Sequence, residues 1–249
     1  PTPADEGSSI SIVDHCSTPC SNRRISGPIE TNARWIHSVV QACEEMLADS
    51  EIPRHILCGI GIAVGKTMDI SGGSSVASGL LARLDDRLGL PVFIENMGVA
   101  AAIAESLMGV GRQCKNFIFI SIDHSISGSL INHGVPFRGH SGNAGNYNFI
   151  LSDKADAECF SLSDLLKDLQ KSGVDLVDLA ELQARFDPAW PGVAEWLQGA
   201  AVGLTKLTDA ITGILDPQAI VFGGQLPAAL GNMLIEEIRR HRDSEASQQ

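Results

Sequence analysis

Apolar residues along this chain alternate between short runs and helical spacing. Short apolar runs bounded by turn residues predict strands, and apolar positions that recur every three to four residues predict helices. The predicted strands are 9–13, 56–64, 90–96, 116–122, 127–132 and 219–222, and a turn signal at 132–134 leads into 135–137. The predicted helices are 32–48, 78–88, 98–109, 161–171, 175–185, 191–215 and 227–241. Strands that alternate with helices are typical of layered α/β proteins.

Length and composition allow two lobes. The chain has 249 residues, of which 44% are hydrophobic, and this is enough for more than one core. We place the first α/β lobe at about 1–110 and the second at 111–249, with a last helix that could pack back on the first lobe. No apolar run approaches the roughly 20 residues that span a bilayer, and the polar start is unlike a signal peptide. We therefore expect a cytoplasmic protein that does not enter a membrane.

The six cysteines are scattered along the sequence. This distribution favours reduced thiols in a cytoplasmic protein. Cys16 and Cys20 are close enough in sequence to bind a metal or form a disulfide. Two cysteines without further ligands nearby are weak support for either.

The acidic balance argues against contact with nucleic acid through this part of the chain. The net charge is −12, whereas nucleic-acid-binding domains concentrate positive charge on one face. The basic run at 239–242 ends a predicted helix, where positive charge suits the helix dipole. No segment resembles a helix-turn-helix with a basic recognition helix.

The stretch from Gly59 to Thr67 resembles a phosphate-binding loop but has the wrong spacing. That loop needs a glycine five residues before the glycine of its Gly-Lys-Thr end, and this position is Ile60. The residues that follow, 68–73, are loop-like, so the helix N-terminus that completes an anion site is missing. The sequence therefore argues against a nucleotide site of this kind.

Three motifs occur in order along the chain. They are Pro-Val-Phe-Ile-Glu-Asn-Met-Gly-Val-Ala-Ala at 91–101, Arg-Gly-His-Ser-Gly-Asn-Ala-Gly-Asn at 138–146, and Leu-Asp-Pro-Gln-Ala-Ile-Val-Phe-Gly-Gly at 215–224. Together they resemble the ROK family of bacterial sugar kinases and sugar-responsive repressors. The resemblance covers about 56–238. It implies an α/β protein with the two-lobed, actin-like ATPase (ribonuclease-H-like) fold of the sugar kinases.

The first motif lacks the catalytic group that the resemblance implies. The family places an aspartate there, as the base that deprotonates the sugar hydroxyl, and this chain has Met97. A thioether cannot accept that proton. We therefore expect a protein that is not an enzyme.

The second motif lacks the ligands of the family's structural zinc. The positions of the sugar-binding glutamate and the zinc-binding histidine hold Asn146 and Phe149, and the cysteine cluster that follows is reduced to Cys159. A structural zinc needs four ligands. We expect no metal site.

Both loops that hold ATP phosphates in the family are also altered. The nearest match to the first loop is 5–9, but no apolar strand precedes Asp5. The second loop, 121–128, has lost most of its glycines and places Asp123 where a phosphate would lie. Like charges at one site oppose binding. We expect no bound cofactor.

Polar residues nevertheless converge on the cleft that the resemblance implies. The candidate ligand-binding residues are Lys66, Glu95, Asn96, Gly142, Asn143 and Asn146. Such groups suit the recognition of hydroxyls. His124 and His140 lie on nearby loops, where a solvated or locally hydrogen-bonded histidine is the commoner case. The alternative is that Met97 and Val99 have made the site part of the ordinary core.

These observations predict a catalytically inactive, sugar-binding or effector-sensing domain of a ROK-type transcriptional regulator. Its expected partners are a sugar or sugar derivative and further copies of itself, as a dimer or tetramer. The family pairs such domains with an N-terminal helix-turn-helix, so DNA would be contacted only through a segment outside these 249 residues. Two alternatives remain: a divergent ATP-dependent sugar kinase, and a dimerisation scaffold that binds no ligand.

Overall fold

The structure is a computed structural model, and it describes residues 8–14, 18–25, 33–64, 75–151 and 160–246. The strands are β1 (Ser8–Val13), β2 (Pro19–Ile25), β3 (Ile60–Val64), β4 (Val92–Asn96), β5 (Phe117–Ile122), β6 (Ile126–Asn132), β7 (Val135–Phe137) and β8 (Ala219–Gly224). The helices are α1 (Ala33–Asp49), α2 (Ser75–Leu88), α3 (Met97–Met108), α4 (Asn148–Leu151), α5 (Leu162–Lys171), α6 (Leu179–Arg185), α7 (Val193–Leu215) and α8 (Ala228–Ala246). The expected α/β class is confirmed.

The chain divides into two compact units, Pro1–Asn96 and Met97–Gln249. This division lies at the start of α3, and the lobe boundary near residue 110 stays a prediction. This helix belongs to the second unit because its buried Ala102 packs against Phe117, Phe119 and Ile131 of β5 and β6.

In its described residues, the first unit contains two short sheets and two α-helices. β1 pairs with β2 in antiparallel orientation, and β3 pairs with β4 in parallel orientation. Apolar residues spaced three or four apart place one face of α1 and one face of α2 in a shared core. This core contains Ile36, Val40, Leu80, Leu84 and Leu88. An exposed ion pair between Arg87 and Glu44, 2.9 Å apart, also joins the two helices.

The second unit is built on a four-stranded sheet with the order β7-β6-β5-β8. β5 is central, antiparallel to β6 and parallel to β8, and all six of its residues are buried. A strand covered on both faces reads as a near-continuous apolar run, and the sequence of β5 interrupts that run only at Ser121. α7 and α8 pack together, and α8 supplies Leu230 and Leu234 to the main core. The predicted contact of this last helix with the first lobe stays a prediction.

Most predicted elements are confirmed to within a few residues, and the differences have local reasons. The strand predicted from residue 56 is wrong at its start, because Arg54–Ile56 forms a 3-10 turn and β3 begins at Ile60. β2 was not predicted as a strand because polar residues dominate it. The helix predicted from 175 begins at Leu179, because Asp178 accepts a hydrogen bond from the Glu181 N–H at 2.8 Å and caps it there.

Among the helices of the described residues, none is long and apolar enough to cross a membrane.

Candidate functional site

Three glycines bring the start of α3, the middle of β6 and the turn before α4 into close contact. A Cβ at Gly98 would lie 2.8 Å from the Gly128 nitrogen, and one at Gly145 would lie 2.7 Å from the Gly128 oxygen. A Cβ at Gly128 would itself lie 1.9 Å from the Phe119 oxygen. Only residues without a side chain fit at such distances. The contacts place Met97 and the residues around Gly145 beside the same point of β6.

The turn that precedes α4 holds three of the expected ligand-binding residues. The Ala144 N–H donates to the Arg138 oxygen at 3.2 Å, and the Asn146 N–H donates to the Asn143 oxygen at 3.1 Å. Asn143 is exposed and Asn146 is half-buried. The structure thus brings Gly142, Asn143 and Asn146 into one compact turn.

Tyr147 fixes the end of this turn to the sheet. Its hydroxyl donates to the Phe119 oxygen of β5 at 3.3 Å, and its ring lies beside Gly128. Burial raises the pKa of Tyr147 well above its usual range, so the side chain stays a neutral phenol. Sequence reasoning missed Tyr147 and Gly128. The available signal was that the chain's one tyrosine directly follows Asn146.

Met97 is the first residue of α3, and its side chain is 46% exposed. The alternative that this position has become ordinary core therefore does not hold for Met97. Its neighbour Val99 is half-buried. The position that the resemblance assigns to a catalytic base thus presents a solvent-accessible thioether, which offers at most a weak acceptor.

Glu95 and Asn96 lie at the carboxyl end of β4, in the first unit. Both are half-buried, and the Glu95 carboxylate accepts a hydrogen bond from the Asn96 N–H at 2.9 Å. Polar residues at such a strand end are well placed to meet a ligand. Their joint contact with Asn143 and Asn146 of the second unit stays a prediction, and Lys66 lies outside the described residues.

Asp123 covers the turn between β8 and α8. Its carboxylate accepts a hydrogen bond from the Gln225 N–H at 2.5 Å and another from the Ser121 hydroxyl. Gly224 has a φ of +89°, and a Cβ there would lie 2.6 Å from an Asp123 oxygen. This glycine lets the backbone come close enough to be capped by the chain's own carboxylate.

The loop between β5 and β6 is tied to the start of α5. The Asp123 carbonyl accepts a hydrogen bond from the Leu162 N–H at 2.8 Å. The Nδ1 atom of His124 lies 2.7 Å from the Ser163 hydroxyl, so this histidine is locally hydrogen-bonded. His140 is exposed. These contacts hold Asp123 in place over the β8–α8 turn.

Within the described residues, no group of three or more His, Cys, Asp or Glu side chains could hold a metal ion. Cys16, Cys159 and the side chain of Phe149 fall outside them, as do residues 5–7 of the nearest match to the first phosphate loop, 5–9. The predicted absence of zinc therefore stays a prediction.

Comparison with known proteins gives one family over nearly the whole chain. The sequence model of the ROK family matches residues 9–249. The uncharacterized protein y4fQ of Sinorhizobium fredii is 27% identical over 92% of this chain and 60% of its own length. A putative xylose repressor of a Caldicellulosiruptor species is 22% identical over 85% of this chain and 61% of its own length. Other relatives are named β-glucoside kinases and a glucokinase. The chain thus spans about three fifths of the first two relatives.

Solved structures show the same fold. The ROK glucokinase of Streptomyces griseus, in complex with glucose and AMPPNP, superposes with a TM-score of 0.69 at 19% identity. The match covers 92% of this chain and 83% of that one. The expected actin-like ATPase fold of the sugar kinases is therefore confirmed.

Proposed function

We propose that this chain, which belongs to the ROK family, is a non-catalytic, effector-sensing domain of a ROK-type transcriptional regulator. Its effector would be a sugar or a sugar derivative. The relatives include both repressors and sugar kinases, so family membership alone does not separate the two roles. The proposal rests on two residues of this chain. They are Asp123, at the position of a phosphate loop, and Met97, at the position of the catalytic base.

The observation that carries the proposal is the Asp123 carboxylate at the turn between β8 and α8. It already accepts the Gln225 N–H, a backbone donor of the kind that cradles phosphate in nucleotide sites. A phosphate brought to the same donor would meet a like charge. Two unit charges about 4 Å apart repel by about 4 kcal/mol at an effective dielectric of 20. The arrangement supports a protein that does not bind ATP in the manner of a kinase.

Met97 supports the same conclusion from the sugar side. Positioned general bases contribute roughly 10²–10⁴-fold to rates, and the exposed thioether at this position cannot supply that contribution. Loss of the base and loss of the phosphate site are independent defects. Together these two defects favour a domain that senses an effector over an enzyme that phosphorylates a sugar.

The turn with Asn143 and Asn146 supports hydroxyl recognition. A side-chain amide both donates and accepts hydrogen bonds, so neutral asparagines can pair with sugar hydroxyls that serve as donor or acceptor. Glu95, Asn96 and Lys66 would complete the site if the strand end of the first unit contacts the same ligand. The glycine contacts at Gly98, Gly128 and Gly145 would hold the turn rigid without a ligand.

The proposal also covers assembly and DNA contact. The domain would assemble as a homodimer or homotetramer. Because the net charge is −12, DNA would be contacted by polypeptide outside these residues. Light scattering on the purified chain measures the assembly, and a monomer at micromolar concentration would contradict it.

Two assays on the same preparation test the function. A coupled assay with ATP and a panel of hexoses, xylose and amino sugars should show no phosphorylation, and the Asp123→Gly variant serves as a comparison at the nucleotide side. A thermal-shift screen with the same sugars should show stabilisation by at least one compound, since a ligand at about 100 times its dissociation constant adds about 2.7 kcal/mol.

Each alternative has its own outcome. Turnover by the wild type near about 1 s⁻¹, within the ordinary enzyme range, would establish the divergent kinase. A panel in which no carbohydrate changes the melting temperature would favour the scaffold that binds no ligand.

A further inference from the structure

Met97 is an exposed apolar side chain that is held beside the turn before α4. Its neighbour Gly98 packs so tightly on β6 that a Cβ there would lie 2.8 Å from the Gly128 nitrogen. Gly145 approaches the same strand from the turn, and a Cβ there would lie 2.7 Å from the Gly128 oxygen. Close-packed backbones of this kind leave little freedom to either segment. Met97 and the turn therefore lie next to each other within the second unit.

The turn itself presents a polar side chain to solvent. The Ala144 N–H donates to the Arg138 oxygen at 3.2 Å and so closes a short loop. Asn143 lies inside this loop and is exposed. Its amide offers two donors and one acceptor oxygen. A ligand that rests on the turn can therefore hydrogen-bond to it through hydroxyl groups.

Apolar side chains flank this polar turn on both sides along the chain. Phe137 directly precedes Arg138, Ile150 follows Tyr147 in α4, and both Phe137 and Ile150 are exposed. The Ile150 N–H donates to the Tyr147 oxygen at 3.0 Å, which holds α4 at the end of the turn. Sites for small ligands combine apolar walls with a few polar groups. The surroundings of the turn thus suit a ligand that is polar on one part and apolar on another.

Met97 limits what such a ligand can present to the start of α3. The thioether sulfur is a weak acceptor and offers no donor. A ligand hydroxyl pressed against it loses its water partners without a replacement, and burial of an unpaired hydroxyl is unfavourable. A hydrogen or a methyl group on carbon loses no hydrogen bond in the same place and removes apolar surface from water. The unbranched, polarizable side chain of methionine adapts readily to such groups.

We propose that Met97 is a specificity-determining residue and that the effector is a deoxy sugar. Such a sugar carries a hydrogen or a methyl group, in place of one hydroxyl or hydroxymethyl group, at the position that contacts Met97. Its remaining hydroxyls pair with the turn that contains Asn143. This inference rests on the sensing function proposed above and adds the chemical class of the ligand. It predicts a preference that a site lined only by polar groups would not show, because such a site rejects an analogue that lacks a hydroxyl.

Binding of matched sugars to the wild-type chain is the first test. The probes are D-glucose, D-galactose and D-mannose, together with the derivatives of each in which a single hydroxyl is replaced by hydrogen. For at least one hexose, calorimetry should find a deoxy derivative that binds more tightly than its parent by at least about fivefold. If every derivative binds no better than its parent, the inference is wrong while the sensing function stands. If no parent and no derivative binds, the sensing function fails and the inference fails with it.

The variant Met97→Gln is the second test. Glutamine resembles methionine in length and helix propensity, but its amide both donates and accepts hydrogen bonds. The preference for the deoxy sugar should fall by at least about fivefold, mainly because the parent hexose binds more tightly. Met97→Leu keeps an apolar side chain and should retain the preference. A ratio of the two dissociation constants that is unchanged in Met97→Gln would overturn the assignment to Met97.

The variant Met108→Gln provides the matched control. Met108 is the last residue of α3 and is 51% exposed, against 46% for Met97 at the first. At about 1.5 Å per residue, the two ends of this helix lie about 16 Å apart. Met108→Gln should therefore leave both dissociation constants and their ratio as in the wild type. A loss of preference equal to that in Met97→Gln would contradict direct contact between the ligand and Met97.

Discussion

Replacing Gly145 by alanine tests whether the glycine contacts hold the ligand-binding turn on the sheet. Gly145 has a φ of +86°, and its Cβ would lie 2.7 Å from the Gly128 oxygen and 2.9 Å from the Ser129 Cα. Gly142, three residues earlier, has a similar φ of +74°, but a Cβ there would meet no atom within 4 Å. Gly142→Ala is therefore a matched control that carries the backbone strain without the steric clash.

The expected losses of stability follow from the backbone strain and the steric clash. A non-glycine residue in the left-handed region costs about 1–2 kcal/mol, and both variants carry this cost. At Gly145 the new methyl group also collides with backbone atoms, which cannot rotate away, and overpacking of this kind costs about 1–3 kcal/mol. The free energy of unfolding should fall by about 1–2 kcal/mol in Gly142→Ala and by about 2–5 kcal/mol in Gly145→Ala.

Urea unfolding followed by circular dichroism measures both values, and thermal melting supplies a second reading. Each kcal/mol corresponds to about 2–4 °C for a chain of this size. The slope of the free energy against urea should be the same in both variants, so that the difference reports the native state. If the two variants lose equal stability within about 0.5 kcal/mol, Gly145 does not lie against β6 and the reasoning is refuted.

Four further predictions concern the site and its surroundings. Asn96→Ala should weaken binding of the effector by about 0.5–1.5 kcal/mol, and equal affinity by calorimetry would remove Asn96 from the site. Asp123→Ala removes two hydrogen bonds to a carboxylate and should cost about 2–4 kcal/mol, whereas Asp168→Ala, which breaks an exposed pair with Lys171, should cost at most about 0.5 kcal/mol. If urea unfolding shows comparable losses of unfolding free energy in the two variants, Asp123 does not cap the turn between β8 and α8. Tyr147 has a raised pKa, so its absorbance should show no tyrosinate just above pH 10, where the unfolded chain titrates. The folded state then binds the extra proton, and stability should fall as the pH rises above about 10; a folded protein that titrates like the unfolded one would show Tyr147 to be accessible. Elemental analysis should find no stoichiometric zinc, and one tightly held zinc per chain would mean that residues 146–160 have been misread.

Some of these features are local, and the sequence alone was enough to predict them. The apolar run of β5 and the helical spacing in α1 depend on neighbouring residues, so the pattern of apolar positions identifies them. The absence of an acidic base at Met97 is likewise a matter of residue type.

Other features depend on contacts between residues far apart in the chain, and only the tertiary structure decided them. β2 is polar and becomes a strand because β1 pairs with it. Gly128 and Gly145 lie in unrelated motifs, and their need for glycine arises where two backbones approach closely. Asp123 is about a hundred residues from Gln225, and only the parallel pairing of β5 with β8 brings the carboxylate to that amide. Sequence spacing carries no information on such approaches, because they are set by how the strands and helices pack.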